Sequence, residues 1–134
     1  MATRHQVRES IISLLYAYEV GNKEINTFLE EILEDKKIRN KQKEFAIELF
    51  NGIIKNLENI DNTIKKNIDK WDFDRIGIIE KAILRLGSYE ILYSDLDKPV
   101  VINEAIEITK KFGGDNSPRF INGVLDKLNK IEKE

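Results

Sequence analysis

The sequence has no cysteine and only one histidine among its 134 residues. Without cysteine the chain forms no disulfide, offers no thiolate nucleophile and has no sulfur ligand for zinc. One imidazole, that of His5, is too few for a histidine-based metal site, and its place in the first turn of a predicted helix favours a surface position. Most metal and nucleophile chemistry is therefore excluded, and we expect no cofactor.

Long apolar runs are also missing. No stretch approaches the roughly 20 apolar residues that span a bilayer, and the N terminus lacks the charged-then-apolar leader of an exported protein. We therefore expect a cytoplasmic protein that binds no membrane. With 41% hydrophobic residues, the chain suffices for one domain that buries about two-thirds of its unfolded surface.

The chain also lacks an excess of positive charge. The chain carries 22 basic and 24 acidic residues, a net charge of −2, whereas nonspecific binding of nucleic acid rests on many basic contacts with phosphates. Any RNA site must therefore be a local patch. Residues 23–35 carry one base and five acids, and residues 36–43 carry five bases and no acid. The basic stretch is either a second RNA-facing patch or, as we favour, a solvated linker.

Two amphipathic helices joined by a tight turn are predicted between Pro99 and Leu128. The first ends at Gly113-Gly114, where a chain leaving a helix needs a left-handed residue. The second begins with Ser117 as N-cap and Pro118 at the first helical position, where its missing N–H costs nothing. The apolar faces are Val101, Ala105, Ile108 and Phe112 in the first helix, and Phe120, Val124, Leu128 and Ile131 in the second.

The turn between these helices combines features of an anion site. Free backbone N–H groups and the helix dipole favour a phosphate there, and Lys111 and Arg119 add positive charge. Capping alone would explain Asn116 or Ser117 but not the cations, so capping and RNA contact both stay open. Gly123 lies inside the second helix at a cost of roughly 1 kcal/mol relative to alanine, which predicts a close approach of another helix.

The first 20 residues predict an amphipathic helix with a basic edge. Arg4 and Arg8 lie one turn apart, and each is either a phosphate contact or an ordinary solvated arginine. Tyr16 lies off the apolar stripe. Tyr16 and Phe120 either stack on splayed RNA bases or belong to the core. The stripe itself is formed by Val7, Ile11, Leu14, Leu15 and Tyr18.

The middle of the chain predicts further helices. A short acidic helix over Glu24–Leu33 should turn Ile25, Phe28, Leu29 and Ile32 inward. Residues 45–68 should form two helices that meet between Asn56 and Asp61. The helix from Arg75 to Tyr93 is apolar nearly all round and therefore belongs in the centre, with Glu80, Lys81 and Arg85 reaching the remaining surface.

These elements predict an all-α fold of about seven helices in two packed groups around the central helix 75–93. The N-terminal half should extend to about residue 70 and the C-terminal half from about residue 71, within a single domain 1–134. Paired carboxylates suit acid–base catalysis, but Asp72/Asp74 and Asp95/Asp97 occur in predicted turns, where aspartate is expected. We therefore predict that the protein is not an enzyme.

Several motifs of the chain resemble the signature of the NusB family of bacterial transcription antitermination factors. The C-terminal half provides the most specific ones, in order and at the family's spacing. They are Ile102-Asn103-Glu104-Ala105, Lys110-Lys111-Phe112-Gly113 and Phe120-Ile121-Asn122-Gly123-Val124-Leu125-Asp126-Lys127. Weaker matches are Arg8-Glu9, Leu15-Tyr16, Glu80-Lys81, Leu84-Arg85 and Tyr89-Glu90. The N-terminal arginine cluster is sparser than in many members of the family.

The resemblance implies a function in transcription antitermination. It implies binding of boxA, a single-stranded element of nascent ribosomal RNA, together with the ribosomal small-subunit protein NusE, within the RNA polymerase antitermination complex. The residues expected to contact RNA are Arg4, Arg8, Tyr16, Lys111, Asn116, Ser117, Arg119 and Phe120. Glu80 and Arg85 are the expected contacts with the partner protein.

Two other functions fit the same sequence. A related helical domain accompanies some ribosomal RNA cytosine methyltransferases, but this chain has no cysteine nucleophile, and we expect no room for a methyl-donor domain and no methyl transfer. A helical protein–protein adaptor without RNA affinity is the other alternative. The sequence leaves monomer and homodimer open.

Overall fold

The computed structural model describes residues 3–68, 72–115 and 117–132, with side chains up to Leu128. No strand occurs within these ranges, and the predicted all-α fold of about seven helices is confirmed. The helices are α1 (Arg4–Glu19), α2 (Leu29–Asp35), α3 (Asn40–Lys55), α4 (Leu57–Lys66), α5 (Ile78–Tyr93), α6 (Lys98–Phe112) and α7 (Ser117–Glu132). Short 3-10 helices span Ile25–Phe28 and Phe73–Arg75.

The chain forms two compact units that are divided in sequence between Lys55 and Asn56. The division precedes the predicted boundary near residue 70, because α4 packs against α5 and α7 of the second unit. Asn56 also separates α3 from α4, as the predicted meeting of two helices between Asn56 and Asp61 requires.

In the first unit, α1 and α2 both pack against α3. A capping box begins α1: the Thr3 hydroxyl accepts from the Gln6 backbone N–H at 3.1 Å, and the Gln6 side chain accepts from the Thr3 N–H at 2.8 Å. The apolar stripe predicted for α1 is buried except for the partly exposed Tyr18. The left-handed residue after this helix is Gly21, whose φ is +125°.

The acidic and basic segments of the first unit pair with each other. The Lys43 ammonium lies 3.4 Å from a Glu30 carboxylate oxygen and 3.5 Å from one of Glu34, and the Arg39 Nε lies 3.1 Å from Glu34. The interpretation of residues 36–43 as a linker is only partly right, since α3 already begins at Asn40. The inward position predicted for Phe28 is wrong: its side chain is 51% exposed.

In the second unit, α5 lies at the centre and contacts α4, α6 and α7. It begins at Ile78, and the preceding residues Phe73–Arg75 form a separate 3-10 turn capped by Asp72, whose carboxylate accepts from the Asp74 N–H at 3.1 Å. The surface position expected for Lys81 and Arg85 is wrong. They are 6% and 4% exposed, because α5 is packed on several sides.

Gly113 and Gly123 have roles that differ from those predicted, and Gly87 has a role that the sequence did not predict. A Cβ atom at Gly123 would meet nothing within 4 Å, so no helix in the described part of the chain approaches there. The close approach is at Gly87 of α5, where a Cβ would lie 2.9 Å from Cδ1 of Leu125 on α7. Gly113 is extended, with φ −97° and ψ −178°, and not left-handed. Its lack of a side chain relieves crowding, since a Cβ would lie 3.0 Å from the Thr109 carbonyl oxygen.

Candidate nucleic-acid interface

The residues predicted to contact RNA occur in both units. We call Arg4, Arg8 and Tyr16, all on α1, the N-terminal cluster. We call Lys111, Ser117, Arg119 and Phe120, which flank the turn between α6 and α7, the turn cluster. Asn116 lies outside the described residues.

The two arginines of the N-terminal cluster differ in exposure. Arg4 is exposed, whereas Arg8 is only 8% exposed. Both guanidinium groups lie over the ring of Phe45 on α3: the Arg4 Cζ is 4.2 Å from the ring centroid, and the Arg8 Cζ is 5.4 Å from it. Such cation–π contacts fix the direction of a long side chain. Arg4 is therefore the member of the pair that presents its charge to solvent.

Tyr16 is 41% exposed, one of the more exposed large hydrophobic side chains in the described part of the chain. An exposed phenol ring offers a flat surface on which an unpaired base can stack. Exposure of Tyr16 agrees with its position off the buried stripe of α1. Phe120, in the turn cluster, is half-buried, so only part of its ring is available.

A hydrogen-bond network fixes the turn of the turn cluster. The Ser117 hydroxyl donates to the Glu80 carboxylate at 2.6 Å and accepts from the Gly114 backbone N–H at 3.1 Å. The same Glu80 oxygen lies 3.5 Å from that N–H group. A Cβ at position 77 would collide with the other carboxylate oxygen of Glu80, so a larger residue there would shift this carboxylate. Glu80 thus ties the turn to the central helix.

The helix after the turn begins one residue earlier than predicted, at Ser117 rather than Pro118. Lys111 and Arg119 are both exposed on either side of the turn. The burial predicted for Phe112 is wrong: its ring is 39% exposed and lies 5.4 Å from the Lys111 ammonium. The turn therefore presents two cations and an exposed aromatic ring.

Arg85, a predicted contact with the partner protein, is engaged inside the second unit. Its Nε and Nη2 atoms each lie 2.9 Å from an oxygen of Asp61 on α4. Only 5% of the Arg85 side chain is exposed. A partner contact by Arg85 stays a prediction that this burial does not support.

Phe45 is the site-forming residue that the sequence analysis missed. The sequence analysis placed Phe45 only at the start of the helical segment 45–68, whereas the guanidinium groups of two arginines of another helix lie over its ring. No local signal could have revealed this, because the contact joins α1 to α3. The exposure of the Phe112 ring could not be predicted from the sequence either, because Phe112 has the same spacing as the buried residues of α6.

The site has the character of a binding surface. In the ranges that the structure describes, no group of three or more histidine, cysteine, aspartate or glutamate side chains could hold a metal ion. Within the same ranges, no helix is both long and apolar enough to cross a membrane. What the clusters offer is exposed guanidinium and ammonium groups beside exposed rings, which suit phosphates and bases.

Comparison with known proteins gives a consistent result along nearly the whole chain. The model of the NusB family matches residues 5–130. The transcription antitermination protein NusB of Nitratiruptor sp. is 62% identical over 133 residues, which are 99% of this chain and 96% of that protein.

Solved structures agree with the sequence relatives. The structure of T. maritima NusB superposes with a TM-score of 0.89 at 37% identity, covering 96% of this chain and 92% of that one. A structure of the antitermination factors NusB and NusE in complex with dsRNA gives a TM-score of 0.84 at 28% identity, covering 96% of both chains. Since the family model, the relatives and the fold coincide over almost all residues, this chain belongs to the NusB family.

Proposed function

We propose that this protein is a transcription antitermination factor that binds boxA-type single-stranded RNA together with NusE. Members of the NusB family are RNA-binding regulators rather than enzymes. A relative of the same fold has been solved with NusE and with double-stranded RNA. In this proposal the function of the chain is binding, and the N-terminal cluster and the turn cluster supply the contacts with RNA.

The observation that carries the proposal is the fixed turn with its exposed charges. Lys111 and Arg119 flank a turn that Glu80 holds through the Ser117 hydroxyl at 2.6 Å. Because Gly114 and Ser117 are already held by hydrogen bonds, Lys111 and Arg119 would meet phosphates with little further loss of conformational freedom. The exposed ring of Tyr16 would add base stacking, and Arg4 a further phosphate contact. Contact by Arg8, Phe120 and Asn116 is also part of the proposal.

The net charge of −2 predicts weak binding by the protein alone. NusE raises the affinity by adding contacts to the same strand. In this proposal the antitermination activity is exerted through RNA polymerase on nascent transcripts, and the protein therefore acts in the bacterial cytoplasm.

Fluorescence anisotropy with a labelled boxA RNA tests the proposal. The Arg119→Ala and Lys111→Ala variants should each weaken binding several-fold. Each should also lower the slope of log K against log salt by about 0.7 for every phosphate that the variant no longer neutralises. The matched control is Lys66→Ala, which removes one exposed charge from α4, outside both clusters. A scrambled RNA and a double-stranded RNA serve as further probes.

Three results would contradict the proposal. Equal affinities with and without NusE would remove its cooperative half. Unchanged RNA binding by both turn variants would show that the turn cluster does not contact the RNA, whereas NusE binding by a protein with no affinity for boxA RNA would favour the adaptor alternative.

A further inference from the structure

We propose that Phe45 is a positioning residue of the RNA site, which holds Arg4 in the orientation that contacts a backbone phosphate. The inference rests on the proposed function and extends it to a residue that itself contacts no RNA. Its basis is that the cationic groups of two α1 residues lie over one aromatic ring on α3.

The Phe45 ring lies under both guanidinium groups of the N-terminal cluster. Arg4 and Arg8 lie one helical turn apart, where like charges repel. The negative face of an aromatic ring offsets this repulsion. The Arg4 Cζ, 4.2 Å from the centroid of Phe45, is at stacking distance.

The difference in burial decides which arginine faces the ligand. Arg8 is 8% exposed and lies 5.4 Å from the same centroid, whereas Arg4 is exposed. A guanidinium stacked on one face retains its planar edge for two parallel hydrogen bonds to a phosphate. Phe45 therefore lowers the conformational freedom that Arg4 would lose on binding.

The first experiment measures boxA RNA affinity for Phe45→Leu, which keeps an apolar side chain but removes the ring. Binding should weaken about two- to fivefold, the range expected for an exposed cation–π contact. Phe45→Tyr, which keeps the ring face, should bind like the unmodified protein. Phe28→Leu is the matched control, because Phe28 is a 51% exposed phenylalanine of the same unit.

A double-mutant cycle separates positioning from general packing. In the Arg4→Ala background, Phe45→Leu should cause almost no further decrease in affinity, because Phe45 acts through Arg4. The slope of log K against log salt for RNA binding by the Phe45→Leu variant should fall toward that of the Arg4→Ala variant. A full effect of Phe45→Leu in both backgrounds would overturn the inference.

Trifluorophenylalanine at position 45 provides a test that preserves the shape of the side chain. Fluorination weakens the negative face of the ring, so RNA affinity should fall while the melting temperature stays near that of the unmodified protein. If Arg4→Ala weakens binding and the fluorinated protein binds normally, the inference fails and the proposed function stands. If the unmodified protein does not bind boxA RNA, both fail.

Discussion

Arg85 on α5 and Asp61 on α4 form a two-point ion pair, with both nitrogen–oxygen distances at 2.9 Å. The Arg85 side chain is 5% exposed and that of Asp61 17%. The Arg85 guanidinium also lies 5.7 Å from the centroid of Phe73, so charge and ring together hold it inside the unit. A surface docking role would require this arrangement to open.

Removing the carboxylate of this pair should destabilise the protein strongly. In Asp61→Asn the buried guanidinium loses its counter-charge, and the free energy of unfolding should fall by about 3 kcal/mol, the low end for a broken buried pair, since Asp61 is partly solvated. Urea unfolding measures the change. Glu58→Gln, an exposed position on the same helix, is the control and should stay within about 0.5 kcal/mol. If Asp61→Asn and Glu58→Gln lowered the free energy of unfolding equally, the burial of the Asp61–Arg85 pair would be contradicted.

Two glycine-to-alanine substitutions should have opposite effects on the free energy of unfolding. At Gly87 the new methyl group would lie 2.9 Å from the Leu125 side chain, which is itself fully buried, so overpacking should cost about 1–3 kcal/mol. At Gly123 the methyl group meets nothing within 4 Å, so the gain in helix propensity should stabilise by up to about 1 kcal/mol. Thermal unfolding of both variants gives the comparison. Destabilisation by Gly123→Ala would show that α7 has a neighbour at that position.

The Ser117 hydroxyl should matter for the turn rather than for direct contact with RNA. Ser117→Ala removes the bridge between Glu80 and the Gly114 N–H, with an expected cost of about 1 kcal/mol in stability. RNA affinity should fall as well, because Lys111 and Arg119 lose their fixed spacing. Ser117→Thr should restore both quantities, and Ser13→Ala, at an exposed helical serine, should change neither. Normal RNA binding by Ser117→Ala would show that the network is dispensable.

The charge pairs between α2 and α3 should contribute little. Lys43 lies within 3.5 Å of Glu30 and Glu34, but Glu30 is 74% exposed and Glu34 47%. Lys43→Ala should therefore lower the free energy of unfolding by less than about 1 kcal/mol, and the difference should shrink in high salt. Lys41→Ala, on the exposed side of the same helix, is the comparison. The prediction is contradicted if Lys43→Ala lowers the free energy of unfolding more than Asp61→Asn does and the decrease does not depend on salt. The exposed pairs of Lys43 would then contribute more than the buried Asp61–Arg85 pair.

The spacing of apolar residues along the chain explains which helices and which buried side chains could be predicted from the sequence. The three-and-four spacing of apolar residues located α1, α5, α6 and α7, and the predicted meeting of two helices between Asn56 and Asp61 includes the observed break at Asn56. The same spacing misplaced Phe28 and Phe112, because periodicity indicates which residues share a face and not how far the neighbouring helix extends over that face. Both side chains lie near helix ends, where coverage stops.

The candidate site was predicted in its residue types but not in its arrangement. The sequence identified exposed cations at Arg4, Lys111 and Arg119, which the structure leaves in contact with solvent. Burial of Arg8 and its contact with Phe45 became visible only in the structure. The partner contact of Glu80 stays a prediction, and its hydrogen bond with Ser117 became visible only in the structure.

The sequence by itself determined the helices, the family and the kinds of side chain that are candidates for contact with RNA, because each depends on residues a few positions apart or on motifs read in order. Tertiary structure decided which charges are presented and which are buried. The Asp61–Arg85 pair joins residues 24 positions apart, and the Glu80–Ser117 bond joins residues 37 apart. Helical periodicity carries no information at such separations, so only the packing of whole helices brings these groups together.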